Sequence, residues 1–105
     1  MNDKFLSLLG MARRSGKLSL GHDAAVSSIV KNKACLCVIS SEGSERLKNE
    51  MCHACSFEGK NIPVLITDYK TAELSNAVGS KAAVMTVDDE GFAKALKEKY
   101  IRNDI

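Results

Sequence analysis

The stretch RRSGKLSLGHDAAVSSIV, residues 13–30, shows how this chain alternates between helix and strand. Ser15 and Gly16 interrupt a helical pattern, and residues 17–20 then alternate polar and apolar side chains, as a half-buried strand does. Gly21 follows directly and begins the next helix. The first amides of a helix lack intrahelical acceptors, and together with the helix dipole they attract anions. The stretch therefore predicts a phosphate-binding position at Gly21, although a glycine here also fits a simple tight turn.

Hydrophobic spacing on both sides of this stretch predicts the other elements. The predicted helices cover about 3–14, 21–31, 44–58, 71–78 and 88–100, and the predicted strands cover 17–20, 34–39, 62–66 and 82–87. Ser44, Thr71 and Asp88 are predicted helix N-caps, and Gly79 is predicted to end a helix in the left-handed conformation. Strands that alternate with helices indicate a three-layer α/β/α sandwich, with about four strands and helices on both faces.

The composition is that of one globular domain spanning residues 1–105, with 45% apolar and 27% charged residues. No apolar run approaches the roughly eighteen residues of a membrane span, and the first residues carry no secretory pattern, so a cytoplasmic location without membrane contact is expected.

Residues 1–33 hold six basic and two acidic side chains, whereas the remainder holds nine basic and eleven acidic ones. This asymmetry is typical of a protein with one anion-facing end, such as an RNA-binding protein.

Cys52 and Cys55 form a C-x-x-C pair, a spacing that can hold a metal or act as a redox couple. Cys35 and Cys37 are predicted to lie on one face of a strand, so the four thiols are compatible with a zinc site. Both pairs fall inside predicted regular elements, however, where structural zinc is uncommon. Buried free thiols in a reduced compartment are the favoured interpretation, and neither a metal nor a cofactor is expected.

The sequence shows no arrangement that is typical of an enzyme. The two histidines, His22 and His53, are too few and too far apart for the usual hydrolytic constellations. Neither of the glycine-rich nucleotide-binding loops, G-x-x-x-x-G-K-[ST] and G-x-G-x-x-G, occurs. A non-catalytic protein is therefore expected.

Several segments, in order, resemble the ribosomal protein family L7Ae/L30e. They are LLGMARRSGKL with Gly21, then VISS at the end of an apolar strand, NIPVL, ELSNAVG and VDDEGFA. The resemblance implies an α/β/α sandwich that binds structured RNA, either ribosomal RNA or a kink-turn. It also implies a ribosome-associated role in translation, with ribosomal proteins as further partners.

The resemblance also implies where RNA is read. In the kink-turn readers of this family, the helix after the glycine carries Asn and Glu two and three positions on, and Lys six positions on, where they meet exposed base edges. The corresponding residues here are Asp23, Ala24 and Ser27, which lack those donor groups. A protein-interaction module on the same fold, with RNA binding lost, is accordingly the competing hypothesis.

The RNA-binding surface is predicted where the first three strands end, which would bring Gly21, Ser40–Ser41 and Thr67–Asp68 together at one edge of the sheet. Tyr69 is expected to stack on an unpaired base, and Lys70 is expected to meet a phosphate. The full set of predicted RNA-binding residues is Arg13, Arg14, Lys17, Gly21, His22, Asp23, Ser27, Ser41, Thr67, Tyr69 and Lys70.

Overall fold

The computed structural model describes residues 3–103, and of residues 101–103 it describes the backbone. Residues 1–2 and 104–105 of the predicted domain lie outside this range. The elements are α1 Lys4–Arg14, β1 Leu18–Leu20, α2 His22–Val30, β2 Leu36–Ile39, α3 Glu45–Ser56, β3 Val64–Ile66, α4 Thr71–Val78, β4 Val84–Val87 and α5 Glu90–Asn103, with a 3-10 turn, Phe57–Gly59, after α3. The predicted alternation of helices and strands is confirmed.

The four strands form one mixed sheet in the order β1-β4-β2-β3. β4 is antiparallel to both β1 and β2, whereas β2 and β3 are parallel. β1, β2 and β3 therefore run in one direction and finish together. We call the edge where they finish, marked by Gly21, Ser40 and Thr67, the carboxyl end of the sheet, and the edge where they start the amino end. The predicted gathering of the three strand ends is confirmed.

Helices cover both faces of the sheet, as predicted. Alternate residues of the two central strands point to opposite faces, so each central strand is buried along its whole length. On one face, Leu36, Val38, Met85 and Val87 pack against α1, α4 and α5; on the other, Cys37, Ile39 and Val84 pack against α2 and α3. The result is the three-layer α/β/α sandwich that the sequence predicts.

Two of the predicted helix ends are confirmed. The Ser44 hydroxyl accepts a hydrogen bond from the Leu47 amide at 3.0 Å and so caps α3. Gly79 adopts a left-handed φ of 79° after α4. On α3, Leu47, Met51 and Cys55 share the face that packs into the core.

The predicted caps of α4 and α5 are wrong. Thr71 is the first residue of α4, and its hydroxyl lies 2.9 Å from the Ser40 hydroxyl instead of capping the helix. The carboxylate that caps α5 belongs to Asp89, which accepts from the Phe92 amide at 2.9 Å. Asp88, the predicted cap, faces the interior. Capping preferences identify the region where each helix starts. At both starts, however, the predicted cap hydrogen-bonds to residues distant in the sequence instead of capping the helix.

Asp88 joins three elements through its side chain. Its carboxylate accepts hydrogen bonds from the hydroxyls of Ser19 at 2.6 Å, Ser28 at 2.6 Å and Thr86 at 3.0 Å. Ser28 is 4% exposed and Thr86 is fully buried. The Asp88 amide also donates to the Lys17 carbonyl at 2.8 Å. Asp88 thus links β1, α2 and β4 at the amino end of the sheet.

The strands β2, β3 and β4 are shorter than predicted, because each begins two residues later than its apolar run.

Every helix among the described residues falls short of the length and apolar character that crossing a membrane requires.

Candidate nucleic-acid interface

The start of α2 is exposed at the carboxyl end of the sheet. Gly21 adopts φ 89° and ψ 168°, a conformation that is essentially restricted to glycine, and no side chain caps the helix. The Gly21 amide donates to the Val84 carbonyl at 2.9 Å, so it is not the group that meets an anion. The first helical hydrogen bond runs from the Ala25 amide to the Gly21 carbonyl at 3.0 Å. The amides of residues 22–24 precede that bond and form an anion-attracting helix start.

His22 is held between two carboxylates at this helix start. Its Nδ1 lies 3.0 Å from Asp23 Oδ1, and its Nε2 lies 2.9 Å from Glu50 Oε2 on α3. The hydrogen bond with Asp23, reinforced by the hydrogen bond and charge of Glu50, raises the pKa of His22 above its ordinary value of 6.5. Protonated His22 offsets part of the negative charge of Asp23 and Glu50, which would otherwise repel a phosphate approaching the helix more strongly.

The raised pKa of His22 makes the stability of the fold depend on pH. Because the folded pKa exceeds the unfolded value of 6.5, the stabilisation is complete below that value and is lost as the pH rises through the folded pKa. We expect the urea midpoint of unfolding to be higher at about pH 6 than at about pH 8.5. His22→Gln should flatten this difference, whereas His53→Gln, which removes the other histidine, is the matched control. An unchanged pH profile in His22→Gln would contradict the assignment.

The end of β2 is tied to the loop that follows β3. The Ser41 amide donates to the Tyr69 carbonyl at 2.8 Å, while the Ser41 side chain is exposed. The Ser40 hydroxyl is buried against Thr71. Glu42 accepts from the Thr71 amide at 2.9 Å. These bonds hold the second and third strand ends as one surface.

Thr67 and Tyr69 hold this loop from within. Thr67 is 2% exposed, and its hydroxyl donates to the Ile39 carbonyl at 2.9 Å. The Tyr69 ring stacks on Phe5 with centroids 5.3 Å apart, and its hydroxyl donates to Asp3 at 2.7 Å. One face of the ring is therefore occupied by Phe5 instead of being open for a base. Lys70, the basic residue of this loop, is exposed.

The other predicted residues are spread more widely. Arg13 Nε donates to the Val78 carbonyl at 3.3 Å, which places Arg13 beside the end of α4, and Arg14 next to it is exposed. Lys17 lies at the start of β1, at the amino end of the sheet, and is not brought to Gly21. Ser27 is half-buried in the middle of α2.

The loop of residues 79–83 also lies at the carboxyl end, and sequence reasoning missed it. β4 runs opposite to its neighbours, so it begins where they end; the Ala83 carbonyl accepts from the Ser40 amide at 2.9 Å, next to the bond between Gly21 and Val84. Ser80 and Lys81 are exposed in this loop. Their position follows from the strand order, which no local pattern in the sequence reveals.

The cysteines do not assemble as one group. Cys37 and Cys55 are buried between β2 and α3, while Cys52 is exposed. Cys35 precedes β2 and packs on the other face, so the prediction that Cys35 and Cys37 share a face is wrong. Strand alternation does not extend to a residue outside the strand. Hydrogen bonding with Cys55 and burial raise the pKa of the Cys37 thiol, and burial raises that of Cys35.

Metal ligands do not converge within residues 3–103. No three histidine, cysteine, aspartate or glutamate side chains in this range are arranged so that they could hold a metal ion.

Comparison with known proteins places this architecture in a family. Residues 3–97 match the model of the ribosomal protein L7Ae/L30e/S12e/Gadd45 family. The chain is 30% identical over 95 residues to the RNA-binding protein YlxQ of Enterococcus faecium, which covers 90% of this chain and 89% of that protein.

Two solved structures are similar over nearly the full chain. A protein of unknown function from Bacillus halodurans superposes with a TM-score of 0.88 at 28% identity, covering 95% of this chain and 99% of that one. The Giardia lamblia 15.5kD RNA binding protein shares the fold, with a TM-score of 0.74 at 16% identity over 99% of this chain and 91% of that one. On the match over residues 3–97, the chain belongs to the ribosomal protein L7Ae/L30e/S12e/Gadd45 family.

Proposed function

We propose that this chain is a non-catalytic, ribosome-associated cytoplasmic protein that binds structured RNA, either ribosomal RNA or a kink-turn, through the carboxyl end of its sheet. The observation that carries the proposal is the exposed, uncapped start of α2 at the edge where β1, β2 and β3 finish. Membership of a ribosomal protein family and similarity to a protein named RNA-binding support it.

Phosphate contacts supply most of the affinity in the proposed complex. The amides of residues 22–24 face an RNA phosphate, and Arg13 and Lys81 add positive charge on the side of the loop that leads into β4. Ser41 and Lys70 extend the contact across the end of β2. Tyr69 and Thr67 act as positioning residues that hold the loop beneath Lys70.

Base reading is weak in this proposal. Asp23 accepts hydrogen bonds but cannot donate to guanine O6 or N7, Ala24 has no polar group, and Ser27 lies half-buried in the middle of α2. The protein therefore distinguishes RNAs by backbone shape more than by base identity, and its affinity depends steeply on salt.

The test measures binding to a labelled kink-turn RNA and to a duplex of the same length at about 50 mM and about 200 mM salt. We expect salt-sensitive binding that favours the kink-turn. Lys81→Glu should weaken it by about tenfold and reduce the salt slope by about one. The matched control is Lys94→Glu, because Lys94 is an exposed lysine beside residues 61–63 at the amino end of the sheet.

Two outcomes would count against this proposal. An equal loss of affinity in Lys81→Glu and Lys94→Glu would mean that RNA responds to the net charge of the protein and not to the carboxyl end of the sheet. Absence of binding at the lower salt concentration would remove RNA as the ligand and favour the protein-interaction hypothesis.

A further inference from the structure

An apolar pocket opens at the amino end of the sheet, where α2 and α3 finish. It encloses about 270 Å³ and is lined by Ile29, Val30, His53, Ala54, Phe57 and Lys60. Val30 is 66% exposed and Phe57 is 51% exposed, although both are large apolar side chains. We refer to this feature as the Val30–Phe57 pocket.

The pocket concentrates apolar surface that is isolated elsewhere. Among residues 3–100, whose side chains the structure describes, the other large apolar side chains that are about half exposed are Met11 on α1 and Ile66 at the end of β3. The Phe57 ring is held against His53, with ring centroids 5.4 Å apart. An apolar recess with an aromatic wall is the type of surface that receives a bulky side chain from a partner.

The rim of the pocket is basic. Lys60 Nζ donates to Asn32 Oδ1 at 2.8 Å, which holds the lysine between the end of α3 and the loop after α2. Lys31 and Lys33 are exposed on either side of Asn32. The acidic side chain of this region is Glu58, which is exposed in the turn after α3. Residues 30–33 and 57–60, which adjoin the pocket and which we call its lysine rim, carry three lysines against one glutamate and so a net positive charge.

We propose that the Val30–Phe57 pocket docks a segment of a partner protein in which a bulky apolar side chain is flanked by aspartate or glutamate. Apart from Lys60 and His53 the lining is apolar, and Lys60 already donates to Asn32, so the recess suits an apolar side chain better than a phosphate. Two copies of this chain meeting through the same pocket would bring their lysine rims face to face, which is unfavourable. In such a segment, the apolar side chain fills the recess and the flanking carboxylates pair with the lysines beside it.

The position of the pocket allows RNA and protein to be held at the same time. α2 and α3 start at the carboxyl end of the sheet and lead into β2 and β3, which start at the amino end. The proposed RNA surface and the Val30–Phe57 pocket therefore lie at opposite ends of these helices. The docking proposal does not depend on RNA binding and can be tested separately.

The experiment selects peptides of about 12 residues from a random phage-displayed library on the full-length protein. We expect enriched sequences that pair Leu, Ile, Phe or Met with Asp or Glu. Fluorescence polarisation of the enriched peptide, made synthetically, should show binding that Phe57→Ala and Lys60→Glu each weaken by about tenfold. Met11→Ala, which removes a comparably exposed side chain on α1, and Lys81→Glu should leave peptide binding unchanged. Circular dichroism establishes that each variant is folded.

If the pocket instead bound RNA or a second copy of this chain, the result would differ in each case and would overturn the proposal. Weaker kink-turn RNA binding in Lys60→Glu would make the lysine rim part of an RNA surface. A concentration-dependent dimer in sedimentation velocity that Phe57→Ala abolishes would make the pocket an interface between two copies. Enriched peptides that lack acidic residues, peptides that bind Phe57→Ala as well as the wild type, or no enrichment at all would show that the pocket does not dock such segments.

Discussion

Phe5→Ala is expected to lower the free energy of unfolding by about 4 kcal/mol. The Phe5 side chain is fully buried on the inner side of α1. Its ring stacks on Tyr69 at a centroid distance of 5.3 Å and meets Tyr100 edge-on at 5.5 Å. Truncation removes these contacts and leaves a cavity between α1 and the loop after β3. Urea denaturation followed by circular dichroism measures the change.

Two further variants separate the causes of this loss. Phe5→Leu keeps most of the volume and loses the aromatic contacts, so it should cost about 1 kcal/mol. Phe57→Ala removes the same ring from a half-exposed position and should cost less than about 1 kcal/mol. If Phe5→Ala were no more destabilising than Phe57→Ala, the aromatic cluster would not support the fold.

Asp88→Ala is expected to lower the free energy of unfolding by about 3 kcal/mol. The substitution leaves the hydroxyls of Ser19, Ser28 and Thr86 without their shared acceptor, and Ser28 and Thr86 are buried. A buried hydroxyl that loses its partner costs more than the hydrogen bond contributed. The measurement is again urea denaturation. The slope of the free energy of unfolding against urea concentration should match that of the wild type, which shows that the unfolded states are comparable.

Asp89→Ala is the matched control for Asp88. It removes the adjacent carboxylate, which caps α5 through the Phe92 amide, and should cost about 1 kcal/mol. A larger loss in Asp89→Ala than in Asp88→Ala would contradict the assigned roles. In a double-mutant cycle, Ser28→Ala should be less destabilising in the Asp88→Ala background than in the wild type, because the two side chains share one bond.

Local patterns were sufficient to predict the elements of this fold. Period-two alternation in residues 17–20 and continuous apolar runs around Leu36 and Val84 identify strands, and Gly21 and Gly79 mark helix ends through conformations that favour glycine. Each of these signals resides in a few neighbouring residues, and for that reason they can be read from the sequence.

Contacts between distant residues explain what could not be predicted. Asp88 looks like a helix cap in sequence, but its hydroxyl partners on β1 and α2 are 69 and 60 residues away. Tyr69 looks like an exposed loop aromatic until Phe5 is brought against it. Lys81 joins the candidate interface because β4 lies between β1 and β2. Strand order determines the positions of Asp88 and Lys81, and the packing of α1 against the loop after β3 determines that of Tyr69. Hydrophobic periodicity carries no information about either.

The place of β4 in the sheet also decides when the protein can fold during its synthesis. Within the described sheet β1 pairs with β4 alone, although 63 residues separate the end of β1 from the start of β4. A growing chain that ends before Val84 has no strand on which β1 can dock, and long-range pairing of this kind closes late. Gly21 and the start of α2 are therefore fixed only after most of the chain has been synthesised, so the nascent protein cannot offer the proposed RNA surface before it is nearly complete.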